Sequence, residues 1–438
     1  MKPFFLALLI GLLSSSAAVA ATLSPAAQVG KQIFFDANLS AQRNQSCATC
    51  HAPEVGWSGP DSTFNSHGSV YNGSFSDRFG NRRPPSASYV AQSPVLKWDK
   101  KEKAFIGGAF WDGRATGTRL KSTAAEQAQG PFLNPLEHGF ADAACVVSRV
   151  CSAPYAGDLE KLHPGICSIV WPANHDQRCA EDGYKADLSA VERKKVDTAY
   201  DAIAHTIAAF ELSPEVNPFS SKFDAYLAGK AKLTKQEQLG LKLFNDKGKC
   251  ADCHPSSGKK PLFTDFTYDN LGIPRNPENP FYTQKAVYNP DGVAWIDPGL
   301  GGFLATEKAW AAKTRTEFGK HKVPTLRNVD KRPRPDFVKA FGHNGYFKSL
   351  KEIVHFYNTR DILPICKPGD KGEKVTCWPL PETAMNMNMD EMGNLGLTDA
   401  EEDAIVVFMQ TLSDGYLPPP QQQQQQPVRR NPQAKRNR

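Results

Sequence analysis

Beyond its first 20 residues the chain of 438 has no apolar run approaching the ~20 residues that a membrane-spanning helix needs. Strand-like alternation of apolar and polar residues is also scarce, which excludes a sheet-dominated protein and leaves a mainly α class. Excess charge is missing from the body as well. The formal net charge of +6 is carried entirely by Lys2 and by Arg429, Arg430, Lys435, Arg436 and Arg438 near the C-terminus. The remainder is neutral and has no electrostatic footprint for nucleic acid, so none is expected as a partner.

The two ends read differently from the body. MKPFFLALLIGLLSSSAAVA (1–20) places Lys2 ahead of an apolar run and Ala18-Val19-Ala20 behind it, the pattern of a cleaved secretory signal peptide. PPPQQQQQQPVRRNPQAKRNR (418–438) has no apolar period and is expected to be a disordered basic tail. The mature protein is therefore predicted to be exported to the periplasm. Its remaining ~400 residues suffice for two domains, 21–215 and 216–417.

The ten cysteines of an exported protein are expected to be used covalently rather than as free thiols. Four of them lie in Cys47-Ala48-Thr49-Cys50-His51 and Cys250-Ala251-Asp252-Cys253-His254. This C-x-x-C-H spacing lets two thiols form thioethers to haem vinyl groups while the adjacent histidine coordinates the iron. Random placement of the same residues gives the pattern roughly 0.005 times, so two copies are a strong signal. A zinc site would need four ligands in one cluster, and a redox C-x-x-C leaves each histidine unexplained. Two covalently bound haem c groups are predicted, with His51 and His254 as proximal ligands.

The segments upstream repeat one another. LSPAAQVGKQIFFD (23–36) and LTKQEQLGLKLFND (233–246) share a helix start, a glycine and an aromatic ending before each haem motif. Ser24-Pro25 reads as an N-cap with a first-turn proline, and Thr234 with Glu237 as a capping box. A duplicated, helical, cytochrome c-like unit accounts for this. Between the copies Val196, Tyr200, Ile203, Ile207 and Phe210 mark an amphipathic helix ending before Pro214, with His205 off its apolar stripe. Another helix is expected from Asp399 to Leu412, opened by Thr398 and Glu401.

GGAFWDGRATG (107–117), AEQAQGPFLNPLEHG (125–139), VPTLRN (323–328) and HNG (343–345), with the two haem motifs, resemble the bacterial dihaem cytochrome c peroxidases and MauG enzymes. The resemblance covers most of the chain from Leu23 to Tyr416. It implies that peroxide reacts at the N-terminal haem, with Glu137 and Gln127 over its open face and Trp111 between the haems. A carboxylate such as Glu137 can take a proton from peroxide and return it to the departing oxygen. Gln127 can hold peroxide or water without titrating. Trp111, a core residue by default, can also relay an electron between irons.

The chain departs from the family in two places. Trp111 and Gln127 are further apart than the family spacing, which makes GTRLKS or its surroundings an inserted loop. The motif reads Gly80-Asn81-Arg82-Arg83, with Arg83 where the family carries an asparagine that helps bind calcium. Arg83 cannot ligate calcium, which counts against the ion, although Asn81 or backbone carbonyls could substitute. His67 is a candidate for the loop histidine that caps the peroxidatic iron in some relatives, at a different distance from GNRRPP.

Of the other six cysteines, Cys366 and Cys377 are the natural local disulfide, while Cys145, Cys151, Cys167 and Cys179 allow three pairings. Met385, Met387, Met389 and Met392 suit copper(I) by ligand type but read as an irregular loop after WPLPE.

In VHFYN (354–358) three rings compete as ligands of the second haem. Ser349 and Glu352 open a helix on which Leu350, Ile353, Val354 and Tyr357 share one face, with His355 turned roughly 160° from Tyr357. The resemblance places Tyr357 where the peroxidases carry a methionine ligand and MauG-type enzymes a tyrosine. An anionic phenolate favours ferric and higher oxidation states over ferrous.

The whole reads as a mainly α protein of two cytochrome c-like helical domains, each with one haem c. It is expected to react with hydrogen peroxide and to oxidise a partner protein. The rivals are a cytochrome c peroxidase drawing electrons from a small cytochrome or copper protein, and a non-enzymatic dihaem electron carrier. The mature chain, produced with a cytochrome c maturation system, should carry two haems that survive acid-acetone extraction; Cys250→Ala with Cys253→Ala should leave one, counted by pyridine haemochrome.

Overall fold

The structure, a computed structural model, describes residues 22–367 and 369–418. The signal peptide and nearly all of the basic tail lie outside the described residues. The long helices are α1 (Pro25–Phe35), α2 (Thr123–Leu133), α3 (Ala143–Cys151), α4 (Ala190–Glu211), α5 (Lys235–Asn245), α6 (Leu350–Thr359) and α7 (Asp399–Gln410). Strands among the described residues form two short antiparallel ribbons, Lys97–Asp99 with Ala104–Ile106 and Tyr268–Asp269 with His321–Lys322. The fold is mainly α, of cytochrome c-like helical units.

The helix starts follow the local chemistry of the sequence. Ser24 accepts the Ala27 amide ahead of Pro25, and Thr234 with Glu237 and Thr398 with Glu401 form complete capping boxes. At α6 the box is half made. Ser349 accepts the Glu352 amide, but the Glu352 carboxylate turns to the Lys348 amide.

Two buried cores are built on one plan. In the first, α1 crosses α4 at Gly30, where a Cβ would lie 2.0 Å from the Thr206 carbonyl oxygen. In the second, α5 crosses α7 at Gly240, where a Cβ would lie 1.9 Å from the Ala404 carbonyl oxygen. Only glycine permits such approach. Four residues beyond each glycine sits Phe34 or Phe244, and four beyond each carbonyl sits Phe210 or Phe408. Phe34 and Phe210 pack edge-on at 5.5 Å, Phe244 and Phe408 at 5.2 Å. A third ring completes each group: Trp57 lies 5.7 Å from Phe210, and Phe263 lies 6.3 Å from Phe408. Each buried ring contributes on the order of 1.5–3 kcal/mol from area alone.

The cysteine expectations are met where they were definite and decided where they were open. Cys366 pairs with Cys377, and the other four form Cys145–Cys179 and Cys151–Cys167. The latter two tie α3 to the segment leading into α4. The segment after Trp111, expected to be an inserted loop, is held by a residue that the motif reading passed over: the Glu126 carboxylate accepts the amides of Gly117, Arg119 and Leu120.

Gly240→Ala should lower stability by about 1–3 kcal/mol through overpacking at the crossing. Gly157→Ala, where a Cβ meets nothing within 4 Å, should be neutral or stabilising by up to about 1 kcal/mol. Thermal unfolding of the two variants checks the contrast.

Candidate active site

Each C-x-x-C-H motif forms one helical turn, Cys47–Cys50 and Cys250–Cys253, followed by its histidine at the C-cap. The histidines are oriented alike. His51 Nδ1 lies 3.2 Å from the Trp57 carbonyl and His254 Nδ1 lies 2.8 Å from the Phe263 carbonyl. Donation from Nδ1 fixes the tautomer in which Nε2 carries the ligating lone pair, and the Pro85 and Pro324 backbones also act on the two imidazoles. Trp57 and Phe263 both have left-handed backbone, φ 60° and 53°, which turns their carbonyls towards the imidazoles while their rings complete the two aromatic groups. Burial holds both histidines below the usual imidazole pKa, so each is poised as a neutral ligand. The four motif thiols are unbridged.

Around the second motif lies a cavity of about 220 Å³, far beyond the roughly 30 Å³ share of one water. Cys250, Cys253 and His254 line one side, and Leu350, Ile353, Val354 and Tyr357 line another. These four are the face of α6 expected from helical phase. His355 points elsewhere, with Nδ1 2.9 Å from Glu402 on α7 and Nε2 3.0 Å from the Val375 carbonyl. Burial raises the Tyr357 phenol well above its ordinary pKa, with the Cys253 and Asp269 charges adding to it. Of the methionine run, Met385 and Met389 are exposed while Met392 is buried in the cavity wall.

The cavity reaches towards the first motif. Trp111 lines it, as do Gly56, Ser58 and Pro85 from the loops around His51. Trp111 Nε1 donates to the Arg83 carbonyl at 2.8 Å. Its neighbour Asp112 accepts from Arg82 at 2.6 Å and Arg114 at 2.7 Å, and Arg82 grips Asp297 through two further bonds of 2.6 Å. The buried Arg82 ties the Trp111 loop, through Asp112, to Asp297 in the second half of the chain, with Arg114 joining from the surface.

At the first motif Glu137 is close enough for its charge to act on Cys50. Burial raises the Glu137 pKa, against the opposing pull of Arg114 and a 2.6 Å hydrogen bond from Asn134 Nδ2. Gln127 is half-buried on α2, and the i, i+4, i+7 spacing puts it on the face of Pro131 and Asn134, the latter being the residue that holds Glu137. His67 is exposed, its Nδ1 2.9 Å from the Thr63 carbonyl. His205 is exposed on α4. At the motif expected to weaken calcium binding, the Asn81 carbonyl accepts from Asn279 Nδ2 at 3.0 Å.

A family model described as di-haem cytochrome c peroxidase matches residues 24–232. The methylamine utilization protein MauG of Paracoccus denitrificans is 31% identical over 395 residues, covering 89% of this chain and 88% of the relative. The chain belongs to the dihaem cytochrome c peroxidase and MauG family. The cytochrome c551 peroxidase of Pseudomonas aeruginosa is 29% identical over 344 residues, 78% of this chain and 74% of its own. Among solved structures, the dihaem peroxidase BthA from Burkholderia thailandensis has a TM-score of 0.66 at 28% identity, covering 90% of this chain and 87% of that one. The protein is thus an oxidoreductase of a haem-dependent family. Its residues fit two haems: paired unbridged thiols, a buried histidine oriented through Nδ1 beside each pair, and a largely apolar cavity at the second.

Membership in this family does not point to Glu211. This carboxyl ends the apolar stripe of α4, acts electrostatically on Cys47, and is pushed up to about 8 by burial alone. An acid whose folded pKa exceeds its unfolded value, here 4.5, gives its full stabilisation below the unfolded value and loses it as pH rises through the folded one. Wild-type stability should therefore fall between about pH 4.5 and 8 from this group. Glu211→Gln should flatten that decline, as read by urea unfolding across the range.

Proposed function

We propose that the protein is an exported, periplasmic dihaem c oxidoreductase that reacts with hydrogen peroxide at the His51 site and oxidises a partner protein from the His254 site. Cys47 with Cys50, and Cys250 with Cys253, would hold the groups through thioethers; His51 and His254 would be proximal ligands, and Tyr357 would face His254. When bound, each haem supplies an iron able to exchange electrons with peroxide and with the other site. The chain's own residues do the rest. Glu137 accepts a proton from peroxide and delivers it to the departing oxygen, so that water rather than hydroxide leaves. Asn134 fixes one oxygen of that carboxylate, and Gln127 holds peroxide or water by hydrogen bonding. Trp111, clamped through Nε1 and through Asp112, carries electrons across the cavity wall.

The observation that carries the MauG-like reading is that Tyr357 and His254 line one cavity. A phenol whose pKa burial raises would stay protonated there unless a cation opposite it stabilised the anion. A second reading, a peroxidase supplied with electrons by a small cytochrome or copper protein, is favoured by Met392, a thioether buried in the same wall. A non-enzymatic electron carrier would need both irons closed to ligands.

Peroxide added to the oxidised protein without reductant should produce a long-lived spectral change involving both haems. Rapid bleaching with fast turnover of a reduced cytochrome would favour the second reading, and failure of the ferric protein to bind cyanide the third. Glu137→Gln should slow the peroxide reaction by ~10²–10⁴-fold with haem content unchanged. Trp111→Phe should slow electron exchange between the haems, and Tyr357→Phe should alter the low-spin spectrum of the second. An unchanged spectrum in the last would rule Tyr357 out as ligand.

A further inference from the structure

Arg82 and Arg83 are adjacent and lie at opposite electrostatic extremes. Arg82 is paired with two carboxylates, Asp112 and Asp297. Arg83, in the cavity wall, meets none: its Nε donates to the Gly342 carbonyl at 3.0 Å and Nη1 to the Pro84 carbonyl at 3.1 Å. Two buried lysines of the same wall repeat the pattern. Lys322 Nζ donates to the Gly107 and Phe266 carbonyls at 3.1 and 3.4 Å. Lys339 Nζ donates to the carbonyls of Val55, Asn328 and Lys331 at 2.8, 3.1 and 2.9 Å.

Among the described residues no carboxylate forms an ion pair with any of the three. Carbonyl dipoles solvate part of each charge, but burying unpaired cations is costly unless a counter-anion arrives. Burial pushes both lysines down to about 7, helped at Lys339 by the neighbouring Arg83 charge and opposed only at a distance by Asp265 at Lys322 and Asp330 at Lys339, so an anion in the cavity would favour their charged forms. The carboxylates that do line the cavity, Asp269 and Glu391, sit beside Cys253 and share Asn388 Nδ2 between them. The cavity is therefore polarised, acidic at the motif thiols and cationic by Trp111. A haem is polarised in the same sense, because its carboxylate side arms leave the ring on the edge away from its vinyl groups.

We propose that Arg83, Lys322 and Lys339 form a cationic cradle that receives the propionate carboxylates of the haem bound beside His254. The cradle sets the direction in which the haem lies in the cavity. It also supplies, from the chain's own side chains, positive charge next to Trp111, since the Arg83 guanidinium carbon lies 5.5 Å from that ring. Positive charge near a haem favours its reduced form, so the cradle raises the midpoint potential of the second haem. This rests on the haem assignment and not on the peroxide chemistry, so it can fail or hold independently of the proposed reaction.

The test uses the haem-loaded full chain. In Arg83→Gln and Lys322→Met, with haem content and far-UV circular dichroism matched to wild type, the midpoint potential of the second haem should fall. Arg83→Lys should stay near wild type. Wild-type potentials retained in both neutral variants would overturn the proposal. Should the variants fail to load haem, resonance Raman of the wild-type protein decides. Propionate bending bands that shift on exchange into deuterium oxide support N–H donors at the carboxylates, and bands that do not move overturn the cradle.

Discussion

Two helix pairs meet with no side chain between them, and the rest of the molecule is arranged around those contacts. Gly30 against Thr206 and Gly240 against Ala404 bring backbone to backbone. Each crossing brings together the aromatic residues one turn further along, and those rings support Trp57 and Phe263. The carbonyls of Trp57 and Phe263 in turn orient His51 and His254. A single steric condition thus propagates from helix packing to the orientation of a ligand atom. The repetition of this chain of contacts, residue for residue, is stronger support for a duplicated unit than the similarity of the leading helices alone.

The electrostatics of the interior are divided rather than balanced locally. Around Trp111 the charged network of Arg82, Asp112, Asp297 and Arg114 is internally neutralised and serves to fix the loop. The neighbouring stacked pair His321 and His343 lies within reach of Asp297, yet its rings are nearly parallel at 3.6 Å. Ring-plane lone pairs in parallel planes do not converge, so this pair forms a wall rather than a chelate. Arg83, Lys322 and Lys339, which form no ion pair among the described residues, lie together in the cavity wall, where an anionic group of a cofactor could reach them.

Much of this was legible before any coordinates, for identifiable reasons. Capping residues act within one turn, so Ser24, Thr234 and Thr398 declared their helices directly. The α6 start was read correctly, although its capping glutamate serves a different amide. Helical phase separated Tyr357 from His355 because the angle between positions on a helix is fixed by geometry. The C-x-x-C-H motifs spoke for themselves because covalent attachment demands that spacing. Glu126, Glu211, Lys322 and Lys339 were silent, since each acts through partners distant in sequence or through the absence of a partner. The roles of the methionines separated only in three dimensions, with Met392 in the cavity wall and Met385 and Met389 at the surface.

Sequence alone determined the helical class, the two haem motifs, the family, the Cys366–Cys377 bridge and the inward face of α6, because each depends on contacts within a turn or on a local covalent pattern. Tertiary structure alone decided the pairing of Cys145 with Cys179 and Cys151 with Cys167, the polarity of the cavity, and the clamp on Trp111. Those features depend on which distant segments meet. Burial strengthens every charge and every missing counter-charge in a way that no local spacing encodes.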